Sequence, residues 1–243
     1  MSRTAEEASA AAGGSGLPAI MRGRMQFAVK RPSRLRSKRA LVLGVGVVSP
    51  LALFVALGIE VRHTAVPGWD SAVTRFVQDQ PVRFPDDLLH AERQAWVLLA
   101  VLVIVLLLRR RLRPALLCIA SAGGALALDL LLKPIFPRRL PTGELELAFP
   151  SGHALVSLAT AATIALLLWP TRWRAAAAVA ATAAVLVTGL ALVDSGWHDP
   201  SDVLGGWCLA ISWVSVLWLL APVRLGRLRR DVLPGDQPVG IDS

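Results

Sequence analysis

Cysteine is scarce in this sequence, and its two occurrences lack the spacing of a metal or disulfide site. Cys118 and Cys208 lie about 90 residues apart, each inside an apolar run, and no Cys-x-x-Cys pair exists. Thiolate metal and redox sites need cysteines that are close in the sequence or a disulfide framework. We therefore interpret both as small buried hydrophobic side chains.

Lysine is almost as rare, although the chain is basic. Of the 26 lysines and arginines only three are lysines, and Lys133 is the only one after residue 38. A lysine at the end of an apolar run often extends its amine towards the lipid headgroups. The alternative is a ligand for an anion, and Lys133 alone does not decide between the two.

Charge is missing from long stretches of the chain, which predicts a membrane protein. Hydrophobic residues make up 54% of the sequence and the mean hydropathy is +0.56. Such values exceed those of ordinary soluble domains, and runs of about 20 apolar residues are long enough to span a bilayer. We predict an all-α, polytopic helical bundle with six transmembrane helices. The predicted spans are 40–60, 88–108, 114–133, 153–170, 175–194 and 203–222.

The positions of the basic residues predict the orientation of these spans. With both termini in the cytoplasm, 19 of the 26 basic residues are cytoplasmic, as the positive-inside rule requires. These clusters would contact anionic membrane lipids. Although the net charge is +9, no basic surface is interleaved with aromatic residues, so nucleic acid is not an expected partner.

Three regions are predicted from this pattern. Residues 1–39 would form a disordered, basic cytoplasmic arm, 40–222 the six-span membrane domain and 223–243 a cytoplasmic tail. Between the first two spans, 68–80 carries apolar residues at helical spacing, which predicts an amphipathic helix on the outer membrane surface. Those apolar residues are Trp69, Val73, Phe76 and Val77.

Unusual polar residues collect at the outer ends of the predicted spans. Pro-Ser-Gly-His at 150–153 opens the fourth span. The first N–H groups of a helix have no intrahelical partners and attract anions, and Ser151 adds a hydroxyl while Gly152 permits close approach. Ser151 as a plain helix N-cap is the simpler interpretation, and the two are compatible because both use the same donors.

A histidine and an aspartate four residues apart precede the sixth span. Asp202 is placed to orient His198, as in nucleophilic sites where a carboxylate holds an imidazole. Taken alone, Asp202 is more readily explained as the N-cap of the sixth span. His63 and His90 have no such neighbours and are interpreted as ordinary loop histidines.

Together these residues resemble the type-2 phosphatidic acid phosphatase superfamily, which also includes the soluble vanadium haloperoxidases. That family's pattern is Lys-x6-Arg-Pro, then Pro-Ser-Gly-His, then Ser-Arg-x5-His-x3-Asp. Lys133 matches the first part, 150–153 the second in full, and His198 with Asp202 the third. The order, the gap between the histidines and the six-span topology also agree over about residues 65–222.

The resemblance implies a phosphatase that uses no metal and no cofactor. His198 would attack phosphorus and form a phosphohistidine, Asp202 would hold its ring, and His153 would protonate the leaving oxygen and then activate water. Phosphate oxygens would be bound by Lys133, Ser151 and the Gly152 N–H. The substrate would be a lipid-linked phosphomonoester or diphosphate, and the enzyme would lie in the cell membrane with its site facing the extracytoplasmic side.

The sequence departs from the family pattern at two phosphate-binding arginines. Leu140 stands where the arginine before Pro141 is expected, and Leu192 where the arginine six residues before His198 is expected. Arg138 and Arg139 are candidates to replace the first loss, and we include both as predicted phosphate ligands. Losing one oxyanion stabiliser typically costs about 3 kcal/mol of transition-state stabilisation.

Extra carboxylates surround the predicted site. We expect Asp129 to pair with Lys133 one helical turn away, and Asp194 to compete with Asp202 for the His198 imidazole. The missing arginines support an alternative function, in which a degenerate member binds a phospholipid or polyprenyl phosphate with little catalysis. An unrelated carrier is less favoured, since no inverted repeat is evident, and haloperoxidase chemistry is disfavoured by the same missing arginines.

Overall fold

A computed structural model describes residues 39–63, 66–81, 84, 91–138 and 147–221, without the side chains of 91–95 and 98. All of these residues fall within one compact unit, 34–243. The predicted basic arm and cytoplasmic tail lie almost wholly outside the described residues, so the predicted domain boundaries stay predictions.

The described part of the chain is helical and contains no strand. A π-helical stretch, Val42–Val48, runs directly into the first α-helix, and a short 3-10 segment, Lys133–Ile135, follows the fourth. The α-helices are α1 (Ser49–His63), α2 (Gly68–Gln78), α3 (Ala91–Leu108), α4 (Leu112–Leu132), α5 (Gly152–Leu168), α6 (Arg174–Asp194) and α7 (Pro200–Leu220).

Four of the described helical segments are long and apolar enough to cross a membrane. They are Arg39–His63, Leu112–Ile135, Arg174–Asp194 and Pro200–Leu220. Two shorter apolar helices, Leu99–Leu108 and Gly152–Leu168, occupy the remaining predicted spans. The all-helical membrane fold is thereby confirmed, whereas the count of six spans and the cytoplasmic termini stay predictions.

Helix α5 lies at the centre of the bundle and packs against α4, α6 and α7. The core beneath the predicted site is aromatic: the rings of Phe54, Phe136 and Phe149 contact one another with centroids 5.4 to 5.6 Å apart. These rings join α1, the segment after α4 and the segment before α5. Their packing holds the start of α5 against the end of α4.

A glycine allows the starts of α5 and α7 to lie side by side. A Cβ at Gly206 would come within 2.6 Å of the Ser151 carbonyl oxygen. The Ser151 N–H donates to the Asp202 carbonyl at 3.0 Å, which ties the two helix starts together. This close approach places the residues of Pro-Ser-Gly-His beside those that follow His198.

Helix α2 has the predicted amphipathic pattern. Trp69, Val73 and Phe76 are exposed on one face. Val77 packs against the buried cluster that contains Leu192. The predicted helix over 68–80 is therefore confirmed with its end at Gln78, and its location on the outer membrane surface stays a prediction.

Candidate active site

Four segments that are distant in the sequence meet at one end of the bundle. They are the end of α4, the segment at 138, the start of α5, and the turn between α6 and α7. They bring together seven of the eight predicted site residues through the contacts given below. Those seven are Lys133, Arg138, Ser151, Gly152, His153, His198 and Asp202. The eighth, Arg139, lies outside the described residues, as does Leu140.

The two histidines face each other across the site. The ring centroids of His153 and His198 are 6.2 Å apart, and the rings of His153 and Trp197 pack in a T-shaped arrangement with centroids 5.9 Å apart. The His198 side chain is only 8% exposed, and its Nδ1 lies 3.6 Å from Asp202 Oδ2. That distance exceeds a hydrogen bond by about 0.5 Å, a gap that catalytic pairs often close when a substrate binds.

The turn that presents His198 is a helix C-terminal cap. Gly196 adopts a positive φ of +72°, a conformation that glycine adopts without steric cost. The N–H groups of Trp197 and His198 both donate to the Leu192 carbonyl at 3.2 Å. The turn therefore reverses the chain directly after α6 and fixes the backbone of His198.

Asp202 is the third helical residue of a capping box at the start of α7, and the N-cap itself is Asp199. Its Oδ2 accepts the Asp199 N–H at 3.1 Å, which caps the start of α7. The same oxygen faces His198, while Oδ1 accepts from Arg138 at 2.8 Å. One fully buried carboxylate therefore takes part in the capping box and lies beside the imidazole, and its role in orienting His198 stays a prediction.

Ser151 caps α5 and is itself fully buried. Its Oγ accepts the Ala154 N–H at 3.4 Å, so the simpler interpretation of this serine holds in the structure. Gly152 is packed closely against a carboxylate: an added Cβ would lie 2.8 Å from Asp129 Oδ2. Phosphate binding by Ser151 and Gly152 stays a prediction.

Lys133 forms the ion pair that its spacing predicts. Its Nζ lies 3.2 Å from Asp129 Oδ2, and the lysine side chain is 29% exposed. Asp129 is buried, and its Oδ1 has no hydrogen-bond partner among the described residues. The pairing of Asp129 with Lys133 is confirmed, and it puts a negative charge between the predicted cation and the start of α5.

Arg138 lies in a buried cluster of three carboxylates and one hydroxyl. One nitrogen, Nη1, donates to Ser201 Oγ at 2.6 Å and to Asp202. The other, Nη2, donates to Asp70 at 3.1 Å and to Asp199 through a short hydrogen bond. Because these contacts occupy both terminal nitrogens, a phosphate would have to displace carboxylates to bind there. Its predicted role as a phosphate ligand is not tested by this geometry.

The cluster carries more negative charge than Arg138 can neutralise. Burial raises the pKa of the Asp199 carboxyl above its usual value, the neighbouring Asp202 and Asp70 raise it further, and Arg138 and His198 partly offset the rise. The Asp199 carboxyl therefore keeps its proton to a higher pH than an ordinary aspartate does.

Leu192 fills a buried apolar position beside the site. It is 1% exposed and packs with Ala154, Val193 and Val203. Asp194, two residues on, accepts the Phe84 N–H at 3.2 Å through Oδ2. The carboxylate of Asp202 lies beside His198, and competition from Asp194 for the imidazole stays a prediction.

Residues 110–225 match the model of the PAP2 superfamily. This confirms the resemblance seen in the sequence, and the matched segment contains Lys133, both site histidines and Asp202. The match to this family model indicates a membrane phosphatase type of function. No curated protein and no solved structure is significantly similar to the chain.

Sequence reasoning missed Asp70 and Ser201 as members of the site. Asp70 is fully buried although it lies on a surface helix, and it comes before the segment that matches the PAP2 model. The only available signal was an acidic residue that interrupts the apolar spacing of α2. That signal is weak, because exposed acidic residues in the first turn of a helix are common.

Proposed function

We propose that the protein is a membrane phosphatase that hydrolyses a lipid-linked phosphomonoester or diphosphate through a phosphohistidine intermediate. The observation that carries the proposal is the facing pair His153 and His198, with Asp202 held 3.6 Å behind His198 Nδ1. Since Nδ1 faces the carboxylate, Nε2 is the nitrogen left for nucleophilic attack. The PAP2 match supports the same reaction class.

The reaction needs two steps. In the first, His198 Nε2 attacks phosphorus, the bond from phosphorus to the lipid oxygen breaks, and His153 gives its proton to that oxygen. In the second, His153 removes a proton from water, which attacks the phosphohistidine and releases inorganic phosphate and the neutral imidazole. Such catalysis depends chiefly on positioning and on stabilising the charge of the transferring group.

Phosphate binding is assigned to the start of α5 and the end of α4. Lys133, the hydroxyl of Ser151 and the backbone N–H of Gly152 border the histidine pair, and the positive end of the α5 dipole points to the same place. Lys133 would exchange its contact with Asp129 for a phosphate oxygen. Arg138 and Arg139 complete the predicted ligand set.

The membrane arrangement supports a lipid substrate. We propose that the chain has six spans and that both termini are cytoplasmic. Helices α3 and α5 would be the two spans in addition to the four longer helices. Helix α5 has 17 residues, which is shorter than the usual span of about 20 residues, but it is enclosed by α4, α6 and α7. The basic clusters then face the cytoplasm and the histidine pair faces the extracytoplasmic headgroup region.

A second candidate function is supported by the ion pairs that neutralise the basic side chains of the site. Lys133 is paired with Asp129, Arg138 is surrounded by carboxylates, and Leu192 occupies an arginine position of the family. A site with so little free positive charge would bind a lipid phosphate and hydrolyse it slowly. Turnover, rather than binding, therefore separates the two functions.

The test is phosphate release from a panel of lipid phosphates by purified protein in detergent, with a chelator and without added metal. We expect release by the wild type and loss of at least about a thousandfold in His198→Ala, as for removal of other catalytic nucleophiles. His63→Ala is the matched control, because this exposed histidine ends α1. Tight lipid binding without release from any substrate would favour the second function.

A further inference from the structure

We propose that Asp70 is a positioning residue for the His198–Asp202 pair and that it acts through Arg138 and Ser201. Asp70 lies on the surface helix α2, outside the segment that matches the PAP2 model. The expected effect of Asp70 on turnover rests on the proposed function. Its expected effect on which ring nitrogen of His198 carries the proton does not.

Asp70 makes three hydrogen bonds although it has no exposed surface. Its Oδ1 accepts the Ser201 backbone N–H at 2.8 Å, and its Oδ2 accepts the Ser201 hydroxyl at 2.6 Å. The same Oδ2 accepts from Arg138 Nη2 at 3.1 Å. One carboxylate of α2 thus holds both the backbone and the side chain of the second residue of α7.

The contacts continue from Asp70 to the predicted nucleophile. Arg138 bridges Asp70 and Asp202 through its two terminal nitrogens, and Ser201 Oγ donates to Asp70 while it accepts from Arg138 Nη1. Asp202 Oδ1 is thereby fixed at 2.8 Å from Nη1, which leaves Oδ2 pointing at His198. Two residues therefore separate Asp70 from the imidazole along the shortest chain of contacts.

Rotation of the Asp202 carboxyl is what this arrangement prevents. A planar guanidinium that donates to fixed acceptors on both sides cannot turn. A carboxylate that accepts from this guanidinium is therefore held in one orientation as well. Without Asp70, Arg138 Nη2 and the Ser201 hydroxyl each lose an acceptor and would seek another within the cluster. Asp202 Oδ2 already accepts the Asp199 N–H and is a nearby acceptor for a second donor. Its recruitment by Arg138 or Ser201 would draw the carboxylate away from His198.

Anchoring of α2 alone does not require this cluster. Three carboxylates around one buried guanidinium are expensive to desolvate, and an apolar contact of the same volume usually stabilises a fold as well or better. Val77 already packs α2 against the core that contains Leu192. A charged, hydrogen-bonded link is needed only if the start of α7 must be held in one orientation relative to α2, and not merely close to it.

Asp70→Asn tests the proposal, with Asp79→Asn as matched control. Both remove one carboxylate charge from α2 or its C-cap, but the Asp79 side chain is exposed. In detergent-purified full-length protein, we expect Asp70→Asn to lower kcat by about tenfold to a hundredfold with little change in KM, because misplacement of a catalytic group affects turnover. Asp79→Asn should match the wild type in both constants.

A double variant separates positioning from general destabilisation. If Asp70 acts through Asp202, then Asp70→Asn in an Asp202→Asn background should lower kcat by less than about twofold further. If the double variant instead loses kcat by the product of the two single losses, the proposal is overturned and Asp70 has a purely structural role. Should Asp70→Asn fail to fold, Ser201→Ala removes one link and keeps the Asp70–Arg138 ion pair, and the same non-additivity is expected with Asp202→Asn.

An activity-independent readout keeps the inference separate from the proposed function. The ¹⁵N chemical shifts of labelled histidines report which ring nitrogen carries the proton in the neutral form. We expect the wild type and Asp79→Asn to hold the His198 proton on Nδ1, facing Asp202, and Asp70→Asn to give a mixture of tautomers. An unchanged His198 signal in folded Asp70→Asn would overturn the inference, even if the wild type proves active. An inactive wild type with the expected tautomer change would instead contradict only the proposed function.

Discussion

Lys133 and Asp129 form an ion pair across one turn at the end of α4, with Nζ 3.2 Å from Oδ2. The same aspartate oxygen abuts the backbone of Gly152 at the start of α5. An internal carboxylate thus stands between the two groups best suited to bind phosphate. Substrate phosphate and Asp129 would compete for Lys133, which makes Asp129 a determinant of how strongly the site binds an anion.

Asp129→Asn is therefore expected to strengthen anion binding. Removing one charge about 4 Å from a bound phosphate is worth at least about 1 kcal/mol, or about fivefold in affinity. The inhibition constants of inorganic phosphate and vanadate measure the change, and Asp79→Asn is the control for loss of an exposed carboxylate. Weaker binding in Asp129→Asn would show that the aspartate serves mainly to place Lys133.

Gly152→Ala should disturb the site while a second glycine tolerates the same change. Its new methyl would lie 2.8 Å from Asp129 Oδ2, whereas a Cβ at Gly123, in the middle of α4, meets nothing within 4 Å. We expect phosphate release to fall by about tenfold to a hundredfold in Gly152→Ala, because small displacements at a catalytic site are costly. Gly123→Ala should keep full activity and gain up to about 1 kcal/mol of helix stability. Equal activities in the two variants would contradict this account.

Leu192→Arg tests whether the missing arginine can be restored. Since Leu192 is buried in an apolar cluster, the new charge should lower the melting temperature relative to Leu192→Met, which keeps an apolar side chain of similar volume. Phosphate or vanadate would pair with the arginine, so either anion should raise the melting temperature of Leu192→Arg more than that of the wild type. Equal shifts in both proteins would show that position 192 does not reach the anion site.

The raised pKa of Asp199 predicts that the stability of the protein depends on pH. Because burial raises the pKa of Asp199 in the folded protein, its contribution to stability is fully present below the pKa of the unfolded chain and is lost as pH rises through the folded-state value. Asp199→Asn cannot ionise, so its melting temperature relative to the wild type should rise between pH 4 and pH 8. Thermal unfolding of both proteins across that range is the measurement. A relative melting temperature that falls with pH would show that the ion pair with Arg138 outweighs burial.

Much of the site could be predicted because its residues are close in the sequence. Ser151 with His153 and His198 with Asp202 are short-range patterns at helix starts, and helix geometry alone brings each pair to one level of the bundle. The pairing of Asp129 with Lys133 follows from the same one-turn spacing. The all-helical membrane fold follows from the apolar runs.

The cluster around Arg138 could not be predicted from the sequence. Asp70 and Arg138 are 68 residues apart, and no periodicity connects them. Their contact depends on how α2 packs against the start of α7, which is a tertiary property. No sequence pattern indicates that Arg138 meets three carboxylates, because an arginine near a span end is usually solvated.

Covalent phosphorylation of His198 tests the central claim most directly. Full-length protein would be mixed with a lipid phosphate that it cleaves, quenched in alkali within one turnover, and digested for mass spectrometry of the peptide that contains His198. The account predicts phosphate on His198 in the wild type, and this phosphate should disappear at long times. In Asp202→Asn the phosphorylated His198 should form much more slowly. Rapid phosphate release with no phosphorylated His198 at any quench time would contradict it.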